Sequence, residues 1–280
     1  MDTLEALLLG IVQGLTEFLP ISSSGHLILV PWLQDYHFLQ DNEDFNRTFD
    51  VALHAGTLTG VVIYFRKDIA RLLRALWGSL RRRAIGGSEE RLAWAIVVGT
   101  IPAVIAGGLG EGLIADHLGD PWQIAILIIV FALVLGYADR RPQRHGLEEV
   151  GPRQGLYIGL AQVLSLAPGV SRSGITISAG RFLGLDRDSA ARISFLLLTP
   201  VTAGAVAFEG YGAATEGLPE GVAGPMIVGT IAAAVSGYLA IAGLLAFVRR
   251  RSYDVFVVYR VLLGIVLLLL IATGVRGATF

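Results

Sequence analysis

The chain has no cysteine, which excludes a disulfide framework and any thiolate metal site. It has only five histidines, so a dedicated zinc centre is not expected. Charge is scarce too. Asp, Glu, Lys and Arg together make up 16% of the residues, where a soluble domain carries about 25%. The formal net charge of -1 gives no sign of a nucleic-acid partner, and none is expected. The first ten residues, MDTLEALLLG, lack the basic start and small-residue cleavage site of a secretory signal. They read as part of the mature protein.

What is abundant is apolar surface. Hydrophobic residues make up 54% of the chain, the mean hydropathy is +0.64, and the apolar residues come in blocks. Crossing about 30 Å of hydrocarbon as a helix takes roughly 17–25 residues. Blocks of that length lie at 49–65, 92–110, 122–138, 189–208, 223–247 and 255–275, predicting six membrane crossings. Two further apolar stretches, 4–34 and 154–185, are broken midway, at Pro20–Gly25 and at Pro168–Gly174. Each side of a break is too short to span comfortably, so each stretch reads as a re-entrant helix–loop–helix hairpin. The fold class expected is therefore an all-α polytopic membrane protein, one integral domain over 1–280.

The charges that exist sit between the blocks. Arg66, Lys67, Arg71, Arg74, Arg81, Arg82, Arg83 and Arg91 fall in one connection, Arg140, Arg141, Arg144 and Arg153 in another, and Arg249, Arg250 and Arg251 in a third. Alternate connections are acidic: Asp35, Asp41, Glu43 and Asp44; Glu111, Asp116 and Asp120; Glu209, Glu216 and Glu220. Placing all three basic connections in the cytoplasm satisfies the positive-inside rule without conflict. The first hairpin then opens outward and the second inward. The segment 66–91 is also amphipathic (Ile69, Leu72, Leu73, Leu76, Trp77, Leu80). It reads either as a helix on the inner leaflet or as an extension of the preceding span.

The two broken stretches match each other. At a shift of 149 residues Gly10 falls on Gly159, Gln13 on Gln162, Leu15 on Leu164, Ser22 on Ser171, Ser24 on Ser173 and Gly25 on Gly174. Further on, Val98-Gly-Thr-Ile101 recurs as Val228-Gly-Thr-Ile231. The repeats are 1–138 and 154–275, each a hairpin plus three spans. Three is odd, so the second copy is expected upside down, an architecture that places a site near the bilayer midplane between the copies.

Both loops carry chemistry. Gln13 and Glu17 share a helix face, and a carboxylate in an apolar helix persists when it has a partner, a metal or a task. After Pro20 come Ser22, Ser23 and Ser24, of which one is expected to be a plain N-cap. His26 follows Ser23 by three residues, on the same face. In the second loop Ser171, Ser173 and Thr176 offer hydroxyls, and Arg172 offers a planar fork that matches phosphate oxygens. Helix N-termini at both breaks favour an anion. Phosphate or diphosphate suits such a site, with a divalent cation, Mg²⁺ or Ca²⁺, bridging it to Glu17. Arg172 also has a structural alternative, an ion pair with Glu17. His54, inside a span, reads as a packed polar residue.

The stretches Gln13-xxx-Glu17 with Phe18-Leu-Pro-Ile-Ser-Ser-Ser-Gly-His26, and Pro168-Gly-Val-Ser-Arg-Ser-Gly-Ile-Thr176, resemble the motifs of the bacterial undecaprenyl-diphosphatase (bacitracin-resistance) family, and the resemblance covers essentially the whole chain. It implies an inner-membrane enzyme, dimeric and metal-dependent, that removes the terminal phosphate of undecaprenyl diphosphate on the periplasmic side. By position it implies Glu17 as the essential acid and metal ligand, Ser23 and His26 as nucleophile and partner, and Ser171, Arg172, Ser173 and Thr176 as the phosphate-handling set. Gln13, Ser22 and Ser24 complete the expected substrate contacts. Gln13 stands where many members carry a second Glu, which leaves the acid duties to Glu17. The favoured chemistry is attack by Ser23 with His26 carrying the proton; a His26 nucleophile or an activated water remains open. The rival class is a transporter or flippase of polyprenyl phosphate, alone or coupled to hydrolysis.

Overall fold

A computed structural model of the chain describes residues 1–34, 43–115, 118–216 and 222–278. They form ten α-helices: α1 (Thr3–Phe18), α2 (Ser23–Gln34), α3 (Glu43–Arg82), α4 (Ser88–Ala115), α5 (Pro121–Asp139), α6 (Pro152–Val163), α7 (Arg172–Phe182), α8 (Arg187–Glu216), α9 (Ala223–Val248) and α10 (Asp254–Ala272). Six of these, α3, α4, α5, α8, α9 and α10, are long and apolar enough to cross a membrane. They coincide with the six blocks expected from hydropathy. Of the acidic connection residues, Asp35, Asp41, Asp116 and Glu220 lie outside the described residues, as do His37, His117 and the side chains of Glu43, Asp44, Glu111 and Glu216.

The helix ends follow local chemistry. At the start of α1 the Leu4 N–H donates to the Asp2 carboxylate at 2.6 Å, and the Asp2 N–H donates to Glu5 at 2.9 Å, a reciprocal cap. Pro121 and Pro152 open α5 and α6, where a missing N–H costs nothing. The amphipathic segment 66–82 continues α3 without interruption, which settles that alternative in favour of a helix extension. At about 1.5 Å per residue this 40-residue helix runs well past the hydrocarbon.

The bundle turns apolar residues outward and buries a set of polar ones among its apolar core. On α1, Leu4, Leu7, Leu8, Ile11 and Leu15 are exposed, whereas Gln13, Thr16 and Glu17 are buried. The same holds for α9 and α10, whose outward faces carry Ile227, Ile231, Val235 and Leu239, and Val255, Val258, Leu262 and Val266. Water would not tolerate such a surface; a bilayer requires it.

Close helix crossings fix the frame. α1 packs along α9, and a methyl group added at Gly10 would strike the Gly229 carbonyl. α6 packs along α4, and a methyl group at Gly159 would strike the Gly99 carbonyl. Small residues permit this approach in a membrane, where dispersion and weak polar contacts replace the hydrophobic drive. A core of Phe18, Phe65, Leu135, Ile177, Phe195 and Tyr253 joins these pairs to α3, α5, α7 and α8.

Ion pairs gather the basic connections at one end. Arg249 meets Asp188 at 2.8 Å, Arg187 meets Asp139 at 2.7 Å, Arg140 meets Asp254 at 3.8 Å, and Arg71 meets Glu89 at 3.3 Å.

Candidate active site

The two broken stretches bring their turns into contact. α1 stops at Phe18 ahead of Pro20, and α2 restarts at Ser23. α6 stops at Val163, and α7 restarts at Arg172. The residues just before the restarts, Ser22 and Ser171, share an uncommon backbone conformation, with φ of 79° and 73°. Non-glycine residues rarely adopt it, and each is held there by the bonds it makes. Ser22 Oγ accepts from the Gly25 N–H at 3.3 Å and from the Gly169 N–H of the other loop at 3.2 Å. Ser171 Oγ accepts from the Gly174 N–H at 3.1 Å. The cap expected among Ser22–Ser24 is thus Ser22, and Ser171 plays the same part in the second loop.

Arg260, in the middle of α10, binds the two turns together. It is fully buried. Its Nε donates to Ile128 O at 3.1 Å, Nη1 to Pro20 O at 3.4 Å, and Nη2 to Gly169 O at 2.8 Å and Val170 O at 3.1 Å. At Pro20, Gly169 and Val170 the guanidinium therefore serves carbonyls that the broken helices leave without partners, and at Ile128 it anchors to α5. Arg260 is not among the residues expected from the motifs, although an arginine inside an apolar span is by default a functional residue.

Glu17 sits where the turns meet. One carboxylate oxygen accepts from Ser23 Oγ at 2.5 Å and from Gln13 Nε2 at 3.3 Å. The other pairs with Arg172 Nη2, while Arg172 Nη1 donates to Thr202 Oγ1 of α8 at 3.0 Å. His54 of α3 stands 3.9 Å from Glu17 through Nε2, and its Nδ1 donates to the Asp50 carbonyl at 2.8 Å. His54, expected as a packed polar residue, is therefore a further group at the site. It is 37 positions from Glu17 and only the packing of α3 brings it in. Gln13 Oε1 is buried and has no hydrogen-bond partner among the described residues.

The remaining expected site residues are placed differently. His26 is buried, with Nδ1 on the Ser22 carbonyl at 2.6 Å and Nε2 on the Tyr259 hydroxyl at 2.7 Å. The base hydrogen-bonded to Ser23 is Glu17, not His26. Three residues of separation put Ser23 and His26 on one face of α2, but His26 turns toward α10. Ser173 Oγ donates to Leu19 O at 3.0 Å, tying the second loop to the first. Thr176 Oγ1 lies 2.7 Å from Ser194 Oγ, fastening α7 to α8. Ser24 is exposed.

A cation cage is not formed by the protein alone. Among the described residues no three His, Asp or Glu side chains cluster. Glu17 spends its oxygens on Arg172, Ser23 and Gln13. A lone carboxylate already neutralised by a guanidinium is a poor seat for Mg²⁺ or Ca²⁺, which take six or more oxygens. A cation at Glu17 would need Arg172 to turn away and further oxygens beyond Glu17 and the unpartnered Gln13 Oε1.

What the site does offer is a hydroxyl held by a carboxylate, beside a guanidinium, at the junction of two polar loops inside an apolar bundle. Residues 6–266 match the family model described as bacitracin resistance protein BacA. The chain belongs to this family. Among its relatives, the undecaprenyl-diphosphatase of Geobacter sulfurreducens is 48% identical over 266 residues, covering 94% of this chain and 96% of the relative. That of Thermomicrobium roseum is 45% identical, covering 97% and 99%. That of a Nocardioides species is 44% identical, covering 99% and 100%.

Proposed function

We propose that the chain hydrolyses undecaprenyl diphosphate to undecaprenyl phosphate and inorganic phosphate, returning the lipid carrier to cell-wall synthesis and giving bacitracin resistance. Full-length similarity to undecaprenyl-diphosphatases supports the activity. The observation that carries the chemistry is the short Ser23–Glu17 hydrogen bond, with Arg172 on the far oxygen of the same carboxylate.

The reaction follows from that geometry. Arg172 exchanges Glu17 for the terminal phosphate, and its fork stays anchored by Thr202. Ser23 Oγ attacks phosphorus, its proton passes to Glu17 and on to the leaving phosphate, and the anhydride P–O bond breaks with undecaprenyl phosphate as leaving group. Water then attacks the phosphoserine as Glu17 takes its proton, the Ser23 O–P bond breaks, and Glu17 returns that proton to the Ser23 oxygen as inorganic phosphate leaves. Positioning and charge stabilisation supply most of the catalysis in phosphoryl transfer. Gln13 and the loop hydroxyls of Ser22, Ser24, Ser171, Ser173 and Thr176 shape the anion site directly or by holding the turns. His26 steadies the first turn through Ser22 and Tyr259. No step needs a protein-held cation; a divalent ion would arrive on the diphosphate.

The same reading places α1–α2 and α6–α7 as re-entrant hairpins in inverted repeats. Two features support it: the equivalent crossings Gly10–Gly229 and Gly159–Gly99, and the equivalent caps at Ser22 and Ser171. With the basic end in the cytoplasm, the first hairpin opens to the periplasm of a bacterial inner membrane. The family resemblance adds a homodimer to this reading.

Phosphate release from a short polyprenyl diphosphate by the pure protein in detergent tests the activity. One phosphate per substrate is expected, and Arg172→Lys, which keeps the charge and loses the fork, should fail. Absence of release by the wild type under all conditions, with or without Mg²⁺ or Ca²⁺, would favour a transporter instead.

A further inference from the structure

A cavity of about 340 Å³ opens at the basic end, away from every residue of the Glu17 site, lined by Arg141, Arg144, His145, Arg181, Phe182 and Gly184 among others. Its walls are the segment after α5 and the turn between α7 and α8. Backbone bonds lock them together. The N–H groups of Arg144 and His145 donate to Gly184 O at 2.8 and 3.1 Å, and the Asp186 N–H donates to His145 O at 3.0 Å. Gly184 has a φ of +85°, and a Cβ there would stand 3.2 Å from the His145 ring. The pocket is therefore preformed rather than a gap between loose loops.

Its charge is unbalanced. Three guanidiniums and no carboxylate line it. Arg181 is 1% exposed and bonds the carbonyls of Leu185, Asp139 and Arg141. It forms an ion pair with Asp139, 3.5 Å from Nε. Asp139 is already taken by Arg187 at 2.7 and 3.0 Å and by the Tyr253 N–H at 3.1 Å. Arg144 has no ion pair among the described residues. Arg141 lies over the Tyr137 ring at 4.5 Å. A carboxylate beside the pocket, Glu149, bonds His145 at 2.7 Å; that bond, with help from the Gly146 N–H, holds it below the usual carboxylate range.

The outer rim is made for lipid. Phe182 and Tyr137 are 46% and 58% exposed, with ring centroids 5.9 Å apart. Aromatic pairs of this kind sit at the headgroup level. Loop arginines that only orient a membrane protein need neither locked walls nor a buried guanidinium with a shared counter-ion.

We propose that this cavity binds the phosphate of an anionic lipid from the adjoining leaflet, with Arg141 and Arg144 on the phosphate oxygens and Tyr137 and Phe182 flanking the lipid below it. Basic pockets between helices at this depth suit such headgroups. A free phosphate would use the arginines but leave the aromatic rim idle.

The test uses the full chain in neutral, phosphate-free detergent, titrated with short-chain phosphatidylglycerol, short-chain phosphatidylcholine or inorganic phosphate. Phosphatidylglycerol should bind at least tenfold more tightly than either other probe. The double variant Arg141→Gln/Arg144→Gln should bind it about thirtyfold more weakly, from two surface arginines at the usual worth of each. Arg140→Gln, whose side chain pairs with Asp254, should stay within threefold of the wild type. Unchanged phosphate release by the double variant confirms an intact fold, since neither arginine belongs to the Glu17 site. Double-variant binding within threefold of wild type, equal binding of phosphatidylcholine, or equal binding of inorganic phosphate would each overturn the proposal.

Discussion

Replacing Glu17 with Gln separates binding from chemistry. Gln keeps the size of the side chain and an oxygen that can still accept from Ser23, so the turn should survive. It cannot take the serine proton. Loss of a positioned general base costs about 10²- to 10⁴-fold in rate, or roughly 3–5 kcal/mol of barrier. Binding should move the other way. In the wild type Arg172 must leave Glu17 before it can hold phosphate, and a hydrogen bond to a charged group is worth about 1.5–3 kcal/mol. Removing that competitor, and the negative charge itself, should tighten diphosphate binding by roughly tenfold or more. The assay pairs phosphate release with direct titration of a short polyprenyl diphosphate into the variant. Two results would refute the reasoning: a rate near wild type, or an affinity weaker than wild type at equal thermal stability.

Arg260→Leu should be far more damaging than its distance from the chemistry suggests. Three turn carbonyls lose their donor at once, and leaving buried groups unsatisfied costs about 1–3 kcal/mol each. Thermal unfolding in detergent should shift down by several degrees and phosphate release should collapse; a stable, active variant would remove the guanidinium from its role. Gly159→Val, which drives a side chain into the Gly99 carbonyl, should unfold the protein or abolish expression, whereas Gly107→Val, with nothing near it, should be tolerated at wild-type activity. Calorimetric titration of Ca²⁺ into the substrate-free protein should show no tight site, because Glu17 offers a single, already paired carboxylate. Micromolar binding lost in Glu17→Gln would contradict that.

The frame was legible because hydropathy and helix breakers act locally. Pro20 and Pro168 announce the two interruptions, and the six spans follow from length alone. The course of residues 66–82 was not legible, since an amphipathic helix looks the same on a leaflet as in a continuation of α3. The site was legible where motif residues meet their own kind: Gln13, Glu17, Ser23 and Arg172 do come together. It failed where a side chain must choose between neighbours. Spacing cannot say whether His26 turns to Ser23 or to Tyr259, because that depends on α10, more than two hundred positions away. His54 and Thr202 entered for the same reason, through packing of α3 and α8 that no local pattern records.

The Gly10–Gly229 crossing also governs how the molecule is made. The face of α1 that carries Gly10 and Gly14 rests on α9, which is synthesised more than two hundred residues later. At about 5–20 residues per second, the ribosome needs on the order of ten to forty-five seconds to supply that partner. Through this interval the acidic helix waits in the membrane without its permanent neighbour, exposed to chaperones and proteases. Packing of the first helix in its final place is therefore a late, long-range event, set by residues more than two hundred positions downstream.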